Sequence, residues 1–216
     1  MEGRGLRRFA TVGTAVVVAT GAGAGTAHAA AIGISPAKGC YLSGETITLT
    51  GNGYTPGSAV QVAIDGTSLG QLAADGAGNI AATIKLGTMR GAKSHAVTAT
   101  DTANAANAAS LAFLGTTRTV TVKPENARAG RRLQLRGYGF IGIANVFMHV
   151  RGPGGYKSDN RIARPQGPCG TFGVRRRIVS PSADVGNYRV QFDGRKRFSK
   201  KTRPRVRGTM RVYPRT

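Results

Sequence analysis

The sequence predicts an all-β protein, two tandem β-sandwich domains behind an export signal. Three observations carry this. Apolar residues recur with a period of two in short runs, the spacing of a strand with one buried face. Turn residues punctuate those runs at intervals of about 8–12 residues, a rhythm that fits a sandwich and not a βαβ fold. The 216-residue chain also repeats itself: an offset of 86 sets Gly44 on Gly130, Ile47 on Leu133, Leu49 on Leu135, Gly51 on Gly137 and Gly53-Tyr54 on Gly139-Phe140. Val60 and Val62 fall on Val146 and Met148, and His95-Ala-Val97-Thr-Ala99 later parallels Tyr188-Arg-Val190-Gln-Phe192. Such a repeat marks one structural unit used twice. No stretch holds a sustained, capped helical periodicity.

The N-terminus comes first. Arg4, Arg7 and Arg8 precede an uncharged stretch centred on Ala15-Val16-Val17-Val18-Ala19, and Ala27-His28-Ala29 places small residues before a cleavage point. That is a secretory signal peptide over residues 1–29. Arg7-Arg8 also permits a twin-arginine route, but Phe9 directly after the pair favours the general one. Nothing later is long and apolar enough to span a bilayer. The mature chain is expected to be secreted, or held at the envelope by non-covalent contacts.

The first unit, residues 30–116, reads as strands. Ile47 and Leu49 alternate with Thr48 and Thr50, Val60, Val62 and Ile64 with Gln61 and Ala63, and Ile80, Ala82 and Ile84 with Ala81 and Thr83. Turn chemistry separates them at Thr55-Pro56-Gly57-Ser58, Asp65-Gly66 and Asp75-Gly76-Ala77-Gly78-Asn79. The last of these resembles a calcium loop but lacks its several acidic ligands, so a hairpin turn is expected. The second unit, residues 117–216, follows the same scheme. Spacing predicts about seven strands per unit. Gly-x-Gly followed by Tyr54 or Phe140 predicts a bend before an aromatic that packs on the core edge.

The run ITLTGNGYTPGSAVQVAIDGTSLGQLAADGAGNIAATI resembles the bacterial Ig-like domains of secreted actinobacterial proteins. The whole mature chain resembles a two-domain form whose second unit carries Gly-Pro-Cys-Gly and a Val-Gln-Phe-Asp strand. The resemblance implies two tandem Ig-like β-sandwich domains; its motifs are turns and strands, which specify fold far better than function. A more distant similarity, in the Ser-Pro, Gly-x-Gly and Asp-Gly-x-Gly-Asn pattern, is to the neocarzinostatin-type apoproteins. It implies a small-molecule carrier as an alternative, although those proteins keep intradomain cysteine pairs that are missing here.

Each unit holds one cysteine, Cys40 and Cys169. In an exported protein two cysteines favour a disulfide. A Cys40–Cys169 bond would join the domains; separate buried thiols or pairing between chains are the alternatives.

Charge separates the units. The chain carries 31 Lys and Arg against 9 Asp and Glu, a net +22. Residues 31–116 are neutral, whereas residues 117–216 hold 24 bases against four acids, net +20. A small soluble domain is comfortable with a magnitude of roughly 2–8. The bases cluster at Arg175-Arg176-Arg177, in Arg195, Lys196, Arg197, Lys200, Lys201 and Arg203 of one loop, and at Arg205, Arg207 and Arg211 on one face of the last strand. These twelve are the candidate polyanion-binding residues. The expected partner is an anionic envelope polymer, a wall polyphosphate or an acidic polysaccharide; nucleic acid is possible only in extracellular form. Oligomeric state is not fixed by the sequence.

Catalysis has little to work with. No nucleophile–His–carboxylate set is recognisable and no His/Cys cluster has zinc spacing, so no enzyme activity, cofactor or metal is expected. His95 pairs with Tyr188 across the repeat and reads as structural. His149 is out of phase with Val146, Met148 and Val150, so it is expected to face out or to line the opposite sheet surface.

Overall fold

The computed structural model describes residues 29–125 and 127–214. The expected signal peptide therefore lies, except for Ala29, outside the described residues. Among the described residues there are sixteen strands, eight in each unit.

In the first unit, β1 (Ala31–Ser35), β3 (Thr46–Asn52) and β6 (Ile80–Lys85) form a three-stranded sheet in the order β1-β3-β6. Facing it are β2 (Tyr41–Leu42), β8 (Ala108–Thr116), β7 (Ala92–Asp101), β4 (Ala59–Ile64) and β5 (Thr67–Ala73), in the order β2-β8-β7-β4-β5. The second unit has β9 (Thr119–Lys123), β10 (Ala127–Arg128), β11 (Arg132–Tyr138), β12 (Val146–Arg151), β13 (Lys157–Ala163), β14 (Phe172–Arg177), β15 (Gly186–Asp193) and β16 (Arg205–Tyr213). Its sheets run β9-β11-β14 and β10-β16-β15-β12-β13. The strand orders of the two units are identical, each a sandwich of antiparallel pairs with one short parallel pair, β2 on β8 and β10 on β16. This is an Ig-like arrangement.

The alternation in sequence becomes the alternation of burial. Ile47 and Leu49 are buried while Thr46, Thr48 and Thr50 are exposed, and Leu133 and Leu135 repeat this against Arg132, Gln134 and Arg136. Across the second sandwich Met148, Val150, Val190 and Phe192 close the core against Leu133 and Leu135. Tyr188 is fully buried and its hydroxyl donates to the Asp184 carbonyl, 2.7 Å, a tyrosine corner at the start of β15. The equivalent position in the first sandwich is His95. Its Nδ1 lies 2.6 Å from the Asp65 carboxylate and its ring stacks on Phe113.

The spacing predicts about seven strands per unit, and each unit has eight because its first strand is broken in two. The chain changes sheets there: β1 pairs with β3, and after Pro36 the strand resumes as β2 on β8. Pro124 interrupts the second unit at the same place, between β9 and β10. Proline has no N–H to offer the ladder, so pairing lapses there. Asp65-Gly66 closes the β4–β5 hairpin as a two-residue turn, both residues with positive φ, 49° and 77°, as a type I′ turn requires. The turn at Asp75–Asn79 departs from the expected hairpin. It joins β5 to β6, strands of opposite sheets, and the Asp75 carboxylate accepts the N–H groups of Ala77 and Asn79. The Gly-x-Gly-aromatic signal behaves as expected. Gly137 lies beneath the Phe172 ring, Gly139 has φ of 75°, and Phe140 is buried.

Cys40 and Cys169 are bonded, with Cα atoms 5.1 Å apart. Cys40 lies between β1 and β2, Cys169 between β13 and β14, so the bond joins the two sandwiches. Beside it Gly39 abuts Pro168, Gly139 packs on Leu42 and the Arg118 backbone, and Arg118 Nε donates to the Gly139 carbonyl, 2.9 Å. Among the described residues no helix is long and apolar enough to cross a membrane.

Candidate functional site

The twelve basic residues predicted to act together do not share one face. Arg175, Arg176 and Arg177 lie on β14, in the three-stranded sheet, while Arg205, Arg207 and Arg211 lie on β16, in the five-stranded sheet behind it. The loop holding Arg195, Lys196, Arg197, Lys200, Lys201 and Arg203 joins β15 to β16. Strand phase also splits the triplet: Phe172 and Val174 pack on the core, so Arg175 and Arg177 point outward, while Arg176 turns to the sheet edge and reaches the Ile162 carbonyl at 3.4 Å.

On the outer face of the three-stranded sheet, register builds a basic surface. Arg132 stands directly opposite Arg177, and Lys123, Gln134 and Arg175 form a row across three strands. Arg136 continues the same face along β11. Sequence reasoning passed over Lys123, Arg132 and Arg136 because they are not clustered in the chain. Their signal was present: Arg132 and Arg136 alternate with Leu133 and Leu135.

The outer face of the five-stranded sheet is laid out in rows as well. Lys157, Arg151, Arg189 and Thr209 form one row, and Asp159, His149, Gln191 and Arg207 the next. Arg151 makes a bidentate contact with Asp159, 2.7 and 3.1 Å. Among the described residues this is the one Arg or Lys pair with a carboxylate in the second sandwich. Arg151 beside Asp159 holds that carboxyl below its usual range, and the His149 hydrogen bond adds to the effect.

His149 lines the outer sheet surface, one of the two expected positions, yet it does not face solvent. Its side chain is fully buried. Nδ1 lies 2.9 Å from Asp159 Oδ1, and Nε2 lies 3.3 Å from Asp193 Oδ1 and 3.1 Å from the Arg195 carbonyl. The cover is the β15–β16 loop, which folds back over β12 and β15. Phe198 sits edge-on to His149, ring centroids 5.7 Å apart, and beneath the Arg151 guanidinium, 4.3 Å away.

The ladder expected on β16 has a second occupation. Arg205 Nη1 donates to the carbonyls of Lys200 (2.6 Å) and Thr202 (2.8 Å). Arg207 donates from Nε to Gln191 Oε1 (3.0 Å) and from Nη2 to the Lys200 carbonyl (3.1 Å). Both therefore tie down the loop. Between that loop and the strands lies an open cleft of about 520 Å³, walled by Arg151, Arg189, Gln191, Phe198, Lys200 and Arg207 among others. Of these six the sequence had singled out only Lys200 and Arg207.

No family model matches the chain, and no curated protein matches it. Solved structures do. A membrane-anchored protein of Corynebacterium diphtheriae is 11% identical with a TM-score of 0.35; the match covers 86% of this chain and 59% of that one, so the chain spans about three fifths of its length. A tandem pair of titin Ig domains is 17% identical, TM-score 0.35, covering 85% of this chain and 96% of that one. The polymeric Ig receptor ectodomain of a teleost fish is 12% identical, TM-score 0.32, with coverage of 87% and 99%. At these scores the fold assignment rests on the strand order and the tyrosine corner of this chain itself.

Proposed function

We propose that this protein is an exported, non-catalytic surface module. Its first domain, residues 30–116, is a neutral spacer. Its second, residues 117–216, binds an anionic polymer of the cell envelope, a wall polyphosphate or an acidic polysaccharide. The observation that carries this reading is cations set against cations: Arg132 against Arg177 on one face, and Lys157, Arg151 and Arg189 abreast on the other. Like charges directly opposite in a sheet destabilise it, and a net +20 over residues 117–216 adds self-repulsion that an anionic partner relieves. Arginine predominates, and its planar fork suits phosphate and carboxylate oxygens. Cations on both outward faces and on the loop between them favour a long ligand over a small one. The Cys40–Cys169 bond supports an oxidising, extracytoplasmic compartment.

The test is binding of the whole protein to immobilised polymers across a salt gradient. A poly(glycerol phosphate), an acidic polysaccharide and DNA serve as separate arms. Retention on one of the first two is expected, with log affinity falling linearly against log salt. The variant Arg132→Gln/Arg175→Gln/Arg177→Gln should elute at lower salt. Absence of retention at about 0.1 M salt, where exposed charges are already screened beyond about 10 Å, would overturn the reading. Strongest retention on DNA would replace it with extracellular nucleic-acid binding.

A further inference from the structure

The cleft under the β15–β16 loop is built differently from the open basic faces around it. Its walls are strands β12, β15 and β16 on one side and a folded-back loop on the other, and the loop is fixed at several points. Gln191 Nε2 donates to Asp193 Oδ2 (2.6 Å) and to the Ser199 carbonyl (3.0 Å), while its Oε1 accepts from Arg207. One face of the Phe198 ring is covered by Arg151, yet the ring still contributes apolar wall to the cleft.

Its cations are not equivalent. Arg151 is committed to Asp159. Arg207 spends Nε on Gln191 of β15 and Nη2 on the loop, which leaves Nη1. Arg189 is exposed on β15, directly opposite Arg151 and Thr209. Lys200 lines the cleft from the loop. Among the described residues neither Arg189 nor Lys200 has a carboxylate within ion-pair distance. The two nearest acids are occupied: Asp159 by Arg151 and His149, and Asp193 by Gln191, the Arg195 N–H and His149. Two uncompensated cations thus converge on one cavity, with the free end of Arg207, a hydroxyl and an aromatic wall beside them.

We infer that this cleft is a discrete, saturable site for a phosphate monoester, a tetrahedral dianion whose organic group lies against Phe198. Two negative charges match Arg189 and Lys200, charge-assisted donors suit phosphate oxygens, and pre-positioning of Arg207 by Gln191 lowers the ordering cost of binding. The inference rests on the reading of the second domain as an anion binder and narrows it to one small ligand in one place. The phosphate monoester has two sources, the end group of a wall polymer or a soluble sugar phosphate.

Calorimetric titration of the full-length mature protein tests it, with phenyl phosphate, inorganic phosphate, glucose 6-phosphate and a short phosphate-terminated poly(glycerol phosphate) as probes. Phenyl phosphate should bind one per chain and more tightly than inorganic phosphate. Arg189→Gln/Lys200→Gln should weaken it about tenfold or more, the scale of losing charged hydrogen bonds. Arg175→Gln/Arg177→Gln removes the same charge from the opposite sheet and should leave it within about twofold, because exposed charges that distant are screened. Tighter binding of the oligomer than of glucose 6-phosphate assigns the polymer end as the source, and the reverse order assigns the soluble ester. Non-saturating titration, or equal loss in both double variants, would overturn the site. If phenyl phosphate fails while the polymers are still retained, the cleft is wrong and the domain-level reading stands. If phenyl phosphate binds one per chain while no polymer is retained, the cleft stands alone.

Discussion

Asp101 and Asp159 illustrate what single carboxylates do in a chain so short of acid. Asp101 is fully buried; its Oδ2 accepts the Thr55 N–H at 2.7 Å and its Oδ1 the Ala103 N–H at 2.9 Å. Hydrogen bonding, led by the Thr55 side chain, outweighs the cost of burial and holds this carboxyl far below its usual range. Asp159 is held down chiefly by Arg151. A folded-state pKa depressed in this way contributes stability above the unfolded value, near 4, and loses it as pH falls through the folded value. Thermal unfolding followed by circular dichroism should therefore show a midpoint that is flat above about pH 5 and falls below about pH 4. Asp101→Asn removes one titrating group, so its midpoint should start lower and fall less steeply in acid. An acid limb as steep as that of the parent protein would exclude Asp101 as a source of the slope. Neither role was legible in the sequence, because the Asp101 partner at Thr55 lies 46 residues away and only the sandwich brings the two turns together. Cys40 and Cys169 were legible as a pair for a chemical reason, the oxidising compartment implied by the signal, whereas their proximity was not.

At the scale of elements, legibility follows burial. β3, β4 and β6 announce themselves because one face of each is covered and Ile, Val and Leu fall on alternate residues. β5 carries no such signal: of Thr67–Ala73 only Leu72 is partly covered, so an edge strand reads as loop. The β15–β16 loop exposes a second gap in the same logic. Period-two reasoning assigns His149, Gln191 and Asp193 to the outside of the sheet, and it cannot foresee that a loop returns to cover them. Their burial makes the loop a structural element in its own right, pinned by His149 and Gln191 from below and by Arg205 and Arg207 from β16. His149→Leu keeps the bulk but removes the ring nitrogens that meet Asp159, Asp193 and the Arg195 carbonyl. The expected cost is about 1.5–3 kcal/mol, the scale of hydrogen bonds to charged groups. Hydrogen exchange should localise the effect, with faster exchange through residues 194–204 and no change in β1–β8. Unchanged exchange in the loop would mean that His149 does not hold it.

At the scale of the whole molecule, the charge and the disulfide belong to one problem. Residues 31–116 are neutral and residues 117–216 carry a net +20, so the second sandwich bears nearly all the self-repulsion and the first bears none. The division is legible by adding charges along the chain. The distribution of the cations over two back-to-back faces is not, because it depends on which strands join which sheet. What resists the repulsion is partly the apolar core and partly the tie to the neutral partner. Only Thr117 and Arg118 separate β8 from β9, Arg118 reaches the Gly139 carbonyl, and Cys40–Cys169 closes a loop over a sequence separation of 129. That loop contains all of β2–β8 and most of the basic sandwich up to the β13–β14 turn. Unfolding either sandwich therefore leaves a chain that is still cross-linked, and a loop of this length restricts the unfolded ensemble by about 4–5 kcal/mol. Removing the bond with Cys40→Ser/Cys169→Ser should lower the denaturant midpoint of the basic sandwich, and with it the unfolding free energy by an amount approaching that figure. Moderate salt should recover part of the loss, because screening relieves the repulsion that the cross-link had been opposing. The neutral sandwich should lose stability with no such recovery. Equilibrium unfolding at low and moderate salt, with a probe in each sandwich, separates these outcomes. A midpoint that does not move, or a loss that salt leaves unchanged in both sandwiches, would mean that the cross-link does not counter the charge of the second domain.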